Sequence, residues 1–207
     1  MIKNSRCFFL VPALLIAVTL TAGCTVQKLP PVEVYTLEPQ WSQGLSERTE
    51  KKGSVIIQIA PVRGGGAFTT TDILYSDRRN SQHSYAYSRW REAPVRSMQT
   101  VLEVAVEKTG LFQAVLPPTS VSEADLLLES TLLEFGHILR EEDGSAGVVR
   151  VRFHLIDNRN RRVIATKELM STVETVSSDA RGATTAINQA VIHLAGDLGE
   201  WLEDVAR

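Results

Sequence analysis

Val148-Val149-Arg150-Val151-Arg152-Phe153-His154-Leu155-Ile156-Asp157 decides the fold. Successive side chains of an extended chain point to opposite faces, so Val149, Val151, Phe153 and Leu155 share one face while Arg150, Arg152 and His154 share the other. A strand with one apolar and one charged face belongs to a sheet that is covered on one side and wet on the other, the usual state of antiparallel sheets. Its sequence neighbours have the same character. Residues 125–139 and 163–176 are rich in Leu, Val, Ile and Thr, and the connections carry Gly144, Asn158 and Asn160, so the three segments form a meander.

Working outward, Val32-Glu33-Val34-Tyr35-Thr36-Leu37 alternates like a first strand, and Ser54-Val55-Ile56-Ile57-Gln58-Ile59-Ala60 is a β-branched run ending at Pro61. Residues 40–53 between them are polar and charged, a loop. Residues 73–76 and 84–90 form two more strands joined through Asp77-Arg78-Arg79-Asn80-Ser81-Gln82 as a hairpin, and Ala114-Val115-Leu116 is a short strand before Pro117-Pro118.

Two helices complete the pattern. Pro94 stands at a first helical position, where its missing N–H costs nothing, and Val95, Met98, Val101, Leu102, Ala105 and Val106 follow at helical spacing up to Gly110. From residue 178 to 206, Ile187, Ala190, Val191, Leu194, Leu198, Trp201, Leu202 and Val205 recur at steps of three and four. That apolar stripe covers a core. Its polar face lacks the Lys/Arg stripe of a membrane-surface helix. The expected architecture is α/β in the α+β sense, an α/β sandwich with two helices packed on one face of a mainly antiparallel mixed sheet.

The N-terminus tells where such a domain lives. Lys3 and Arg6 precede an apolar run over residues 8–20, too short to span a bilayer, and the run closes in Leu20-Thr21-Ala22-Gly23-Cys24. This is the anatomy of an export signal ending in a bacterial lipobox. Its Leu stands one place earlier than the usual third position before the cysteine. Residues 1–23 are expected to be cleaved between Gly23 and Cys24, leaving Cys24 to carry a diacylglyceryl thioether and an N-acyl chain such as palmitate. Several acyl chains at about 0.8 kcal/mol per buried CH₂ make that anchor permanent. Thr25 stands where Asp would mark retention in the inner membrane, which points to the periplasmic leaflet of the outer membrane. Residues 24–31 then form a lipidated tether, and residues 32–207 a single periplasmic domain.

Composition excludes much. Cys7 leaves with the signal and Cys24 is acylated, so the mature chain has no thiol for a disulfide, a metal or a nucleophile. Its net charge is −4 with His neutral, since the signal takes two basic residues with it, and no concentrated basic face invites nucleic acid. His83, His137, His154 and His193 stand singly without metal-site spacing. Gly64-Gly65-Gly66 lacks the Gly-Lys-Ser/Thr ending of a phosphate loop, and Gly144-Ser145-Ala146-Gly147 lacks the spacing of a nucleophile elbow and reads as a hairpin turn. Glu141-Glu142-Asp143 beside Gly144 reads as a solvated turn. No catalytic residue, metal ligand or cofactor site is expected.

Val34-Tyr35-Thr36-Leu37-Glu38-Pro39, the strand ending Ile59-Ala60-Pro61-Val62, and Ile73-Leu74-Tyr75 leading to Tyr85-x-Tyr87-x-Arg89-Trp90-x-Glu92-x-Pro94 resemble the ABC-type transport auxiliary lipoproteins, the PqiC-like family. Ala93 stands where many members have a second proline. The resemblance implies an outer-membrane lipoprotein that works with an ABC transporter and an MCE-type periplasmic protein in moving phospholipid between the membranes and keeping the outer membrane tight. It implies no enzyme. Tyr85, Tyr87, Arg89, Trp90 and Arg91 are the candidate partner contacts, because aromatic and Arg side chains concentrate interface energy; the competing expectation for Trp90 is a core anchor under the first helix. Self-association of the domain stays open. The alternative function is a lipoprotein that activates or scaffolds an envelope synthase or a lipopolysaccharide-assembly machine.

Overall fold

The computed structural model describes residues 29–39, 53–77, 81–140 and 144–205. The export signal, Gly23, Cys24, most of the 40–53 loop, residues 78–80 and the acidic turn at 141–143 lie outside the described residues. All elements fall within the unit Val32–Arg207. In chain order they are β1 (Glu33–Tyr35), β2 (Ile56–Ile59), β3 (Arg63–Gly64), β4 (Asp72–Ser76), β5 (Gln82–Trp90), α1 (Pro94–Lys108), β6 (Ala114–Leu116), β7 (Leu126–Leu139), β8 (Ser145–Asp157), β9 (Arg162–Glu174) and α2 (Ala180–Val205).

The meander β7–β8–β9 is antiparallel and carries the sheet. Val149, Val151, Phe153 and Leu155 are fully buried, as their alternation requires. On the opposite face Arg150 bridges Glu134 at 3.2 Å and Glu168 at 3.3 Å, and Arg152 reaches Glu168 at 2.9 Å. The Arg152 hydrogen bond holds the Glu168 carboxyl below its ordinary range. These side chains are a third or more exposed, so solvent screens each pair and it contributes little. Their service is to keep the outer face wetted.

The other edge of β7 is shared along its length. β2 pairs with its start (Ile57 opposite Leu126), β3 with its middle (Arg63 opposite Thr131) and β4 with its end (Tyr75 opposite His137), all in parallel. β6 adds to β2 and β1 adds to β5, again in parallel. The sheet is therefore mixed, with long antiparallel ladders at one side and, at the other, short parallel ones together with the antiparallel β4–β5 pair. Parallel neighbours need crossover connections, and the path from β2 to its parallel neighbour β6, which runs through α1, is one of them.

Both helices contribute to one continuous apolar cluster with the sheet. From α1 come Met98, Val101, Leu102 and Val106; from α2 Ile187, Val191, Leu194, Leu198 and Leu202; from the sheet Ile57, Ile59, Leu128, Val151 and Phe153. Pro94 opens α1, and Gly110 just beyond its end has φ 65°, the left-handed conformation that glycine adopts without strain. Asp179 caps α2 by accepting the Gly182 N–H at 2.8 Å.

The first half of α2 is lined by alanines for a reason found on β8. A Cβ on Gly147 would lie 2.6 Å from the Ile187 nitrogen and 2.9 Å from the Ala186 Cβ, so the helix backbone rests on the strand backbone at that point. This corrects the expectation of a turn at residues 144–147. Ser145, Ala146 and Gly147 are strand, and Gly147 is small because a helix lies on it, not because the chain reverses there. Further along α2, Leu194, Leu198 and Trp201 fill the widening gap, with Trp201 against Phe153 at a centroid distance of 6.3 Å.

The chain after β1 is clipped to α2 by one side chain. Asn188 donates to the Thr36 carbonyl at 3.2 Å and accepts the Glu38 N–H at 3.0 Å.

Candidate functional site

The β4–β5 hairpin is not a regular ladder. Leu74 pairs with Ser84 and Asp72 with Arg89, so β4 spends one residue, Ile73, where β5 spends four, Tyr85–Ser88. The three extra residues make a wide bulge, and bulges re-aim side chains. Tyr85 and Trp90, of opposite parity in sequence, can therefore both turn toward the body of the domain.

Trp90 is 3% exposed and packs on Phe135 at a centroid distance of 5.6 Å. It is a core side chain. Tyr85 is half-buried, Tyr87 is 43% exposed, and Arg89 and Arg91 are exposed. The structure thus splits the five candidate contacts: one supports the core, and four lie at or near the surface.

Tyr85 and Tyr87 line a groove of about 480 Å³ between the bulge, β1 and the start of α2, together with Glu33, Tyr35, Asp179 and Arg181. Arg181 approaches Glu33 at 3.7 Å, and the Tyr35 hydroxyl bonds the same carboxylate. Partial burial raises the Tyr35 pKa, and the neighbouring Glu33 adds to the rise. Asp179 is held below its ordinary range, chiefly by the Gly182 N–H.

At the inner wall the Tyr85 hydroxyl bonds Nδ1 of His137 at 2.6 Å. His137 is 1% exposed, and its Nε2 has no hydrogen-bond partner among the described residues. Burial pushes the His137 pKa down, so the imidazole is neutral at pH 7. Burial, with Asp179 and Tyr75 as lesser causes, pushes the Tyr85 phenol up to about 12. A phenol with a raised pKa is ionised even less at neutral pH than free tyrosine, so no phenolate is at hand there as nucleophile or base. Tyr75 lies 4.9 Å from Tyr85 and 5.2 Å from His83, ring centre to ring centre. Two of the four histidines, far apart in sequence, thus meet in one aromatic cluster.

His154 bonds Thr166 at 2.8 Å and His193 bonds Gln189 at 3.1 Å. Among the described residues no group of three or more His, Cys, Asp or Glu could hold a metal ion, and no helix is long and apolar enough to cross a membrane. Glu33, Tyr35, Asp179 and Arg181 were missed as groove residues because only parallel pairing of β1 with β5 and the packing of α2 bring them there, and His137 was missed as a wall residue because only the pairing of β4 with both β5 and β7 does. Asp179 alone had a local signal, an N-cap residue three places before Gly182.

The family model for ABC-type transport auxiliary lipoprotein components matches residues 35–199. A crystal structure of a Xanthomonas campestris protein of the family-model DUF330 superposes with a TM-score of 0.75 at 15% identity, covering 84% of this chain and 97% of that one. An uncharacterized protein gives 0.64 at 10% identity over 84% and 99%. A hypothetical protein of Chlamydia trachomatis gives 0.52 at 10% identity over 74% and 98%. At these identities the likeness is one of fold alone. No curated protein matches the chain.

Proposed function

This chain belongs to the ABC-type transport auxiliary lipoprotein component family, and from that premise we propose that it is an outer-membrane-anchored, periplasm-facing, non-catalytic adaptor of an ABC/MCE-type system that moves phospholipid between the two membranes. The observation that carries this reading is the family match over residues 35–199, downstream of the apolar run that closes in Ala22-Gly23-Cys24. The site chemistry fits it: the half-buried Tyr85 phenol is ionised even less readily than free tyrosine, and the His137 ring is buried behind it.

In this role Cys24 carries the acyl anchor and ATP is hydrolysed by the transporter, not by this domain. The domain docks the periplasmic end of the lipid conduit through the groove where Tyr85 and Tyr87 face Arg181, with Trp90 holding β5 from beneath. Confinement to a membrane raises the effective concentration of the adaptor at its partner, so a modest interface suffices.

Cross-linking the acylated protein in native membranes and identifying what it captures tests the role. Recovery of an MCE-type protein or a transporter subunit is expected, with loss of envelope resistance to detergent when the gene is deleted. Capture of a synthase instead would favour the scaffold alternative, and hydrolysis of esters, peptides or nucleotides by the purified domain would overturn the non-catalytic reading.

A further inference from the structure

The outward face of β1 is apolar where the chain joins its tether. Val34 is 49% exposed and Val32, two residues earlier, is 46% exposed. Glu33 and Tyr35 turn the other way, into the groove at the start of α2. In the parallel β1–β5 register Val34 stands beside Arg89, an exposed side chain, with Asp72 across from it on β4. Arg91, also exposed, follows directly and donates its backbone N–H to the Tyr35 carbonyl. The result is a small patch of two valines and two arginines, with Asp72 at its β4 edge.

Chain length decides what that patch meets. From Cys24 to Val32 is eight residues, which span at most about 28 Å fully extended. A tether of that reach keeps β1 within about 28 Å of the anchoring membrane whichever way the domain turns. Valine side chains suit the boundary between headgroups and acyl chains, and arginine reaches from apolar surface to phosphate oxygens, which its planar fork binds in pairs.

We propose that Val32, Val34, Arg89 and Arg91 seat the domain on the phospholipid headgroups of the membrane that holds its anchor. This rests on the reading of Cys24 as acylated. It gives Arg89 and Arg91 a lipid phosphate as partner and leaves the Tyr85–Tyr87 groove to the transport machinery. A seated domain presents that groove in one orientation instead of swinging on its tether.

The full acylated chain in vesicles of phosphatidylethanolamine and phosphatidylglycerol allows a direct test. With Cys7 removed and Cys24 acylated, one introduced cysteine is a unique target for an environment-sensitive fluorophore. Probes are placed at Val34→Cys and, as a control, at Met170→Cys on β9, which is 53% exposed. The Val34 probe should shift to the blue and be quenched by headgroup-nitroxide lipid while the Met170 probe does neither, and Arg89→Glu with Arg91→Glu should lessen the quenching at Val34. Equal solvent exposure of both probes in protein that floats with the vesicles overturns the proposal while leaving the anchor intact. Protein that fails to float overturns the anchor, and the proposal with it. Protection of Val34 in native membranes but not in pure lipid also overturns it, in favour of a protein covering this face.

Discussion

The Tyr85 hydroxyl and Nδ1 of His137 lie 2.6 Å apart, joining the bulge of β5 to the end of β7. Because burial depresses the His137 pKa, the folded state disfavours its protonation relative to the unfolded chain. The sign follows from linkage: the unfolded chain binds more protons in the window below its pKa of about 6.5, so stability there rises with pH. The stabilisation is full above about 6.5 and is lost as pH falls through the depressed value. Thermal melts of the wild type between mildly acidic and neutral pH should show this slope, and His137→Gln should flatten it. An identical slope in the variant would place the titrating group elsewhere.

Leu194 and Leu198 are each no more than 1% exposed, and α2 carries them into the common core. Truncating either to Ala should cost about 2–5 kcal/mol in denaturant unfolding. Gly147→Ala should also destabilise, by about 1–3 kcal/mol, because the added methyl meets helix backbone that cannot move aside. A melt unchanged by Gly147→Ala would mean that the helix does not rest on the strand.

Asn188 holds residues 36–38 with two hydrogen bonds to backbone. Asn188→Ala should cost about 1–2 kcal/mol, at roughly 1 kcal/mol per bond. Amide exchange at Glu38 should quicken more than exchange in the meander, which would locate the loss in the segment that follows β1.

Arg161 has φ 57°, the left-handed region, in the turn between β8 and β9. Relief of that strain, about 1–2 kcal/mol for a residue with a Cβ, outweighs the freedom that glycine adds to the unfolded chain, so Arg161→Gly should stabilise by about 0.5–1 kcal/mol. An upward shift in the melting midpoint checks it.

Cys24→Ala should abolish metabolic labelling with a fatty acid, and Thr25→Asp should move the protein from outer- to inner-membrane fractions in a density gradient. An unlabelled wild-type protein in the soluble periplasmic fraction would sink the lipoprotein reading.

What the sequence determined by itself was periodic or local. The alternation through Val149, Val151, Phe153 and Leu155 and the helical stripe from Ile187 to Leu202 each cover enough residues for one face to bury, and burial of apolar area then leaves little choice of element. Pro94 and Gly110 marked helix ends because φ and the backbone N–H are properties of single residues. Partner choice among short strands was decided only by the tertiary structure. Three residues, as in β1 or β6, carry too few side chains to prefer one neighbour, so their parallel pairing follows from where the crossovers deliver them. The same holds for the site. Three surplus residues in β5 become a bulge only because Ile73 alone faces them, and Gly147 reads as a turn until a helix is laid on it. Tyr85 and His137, 52 residues apart, meet because β4 carries β5 to the end of β7, a juxtaposition that neither local sequence contains.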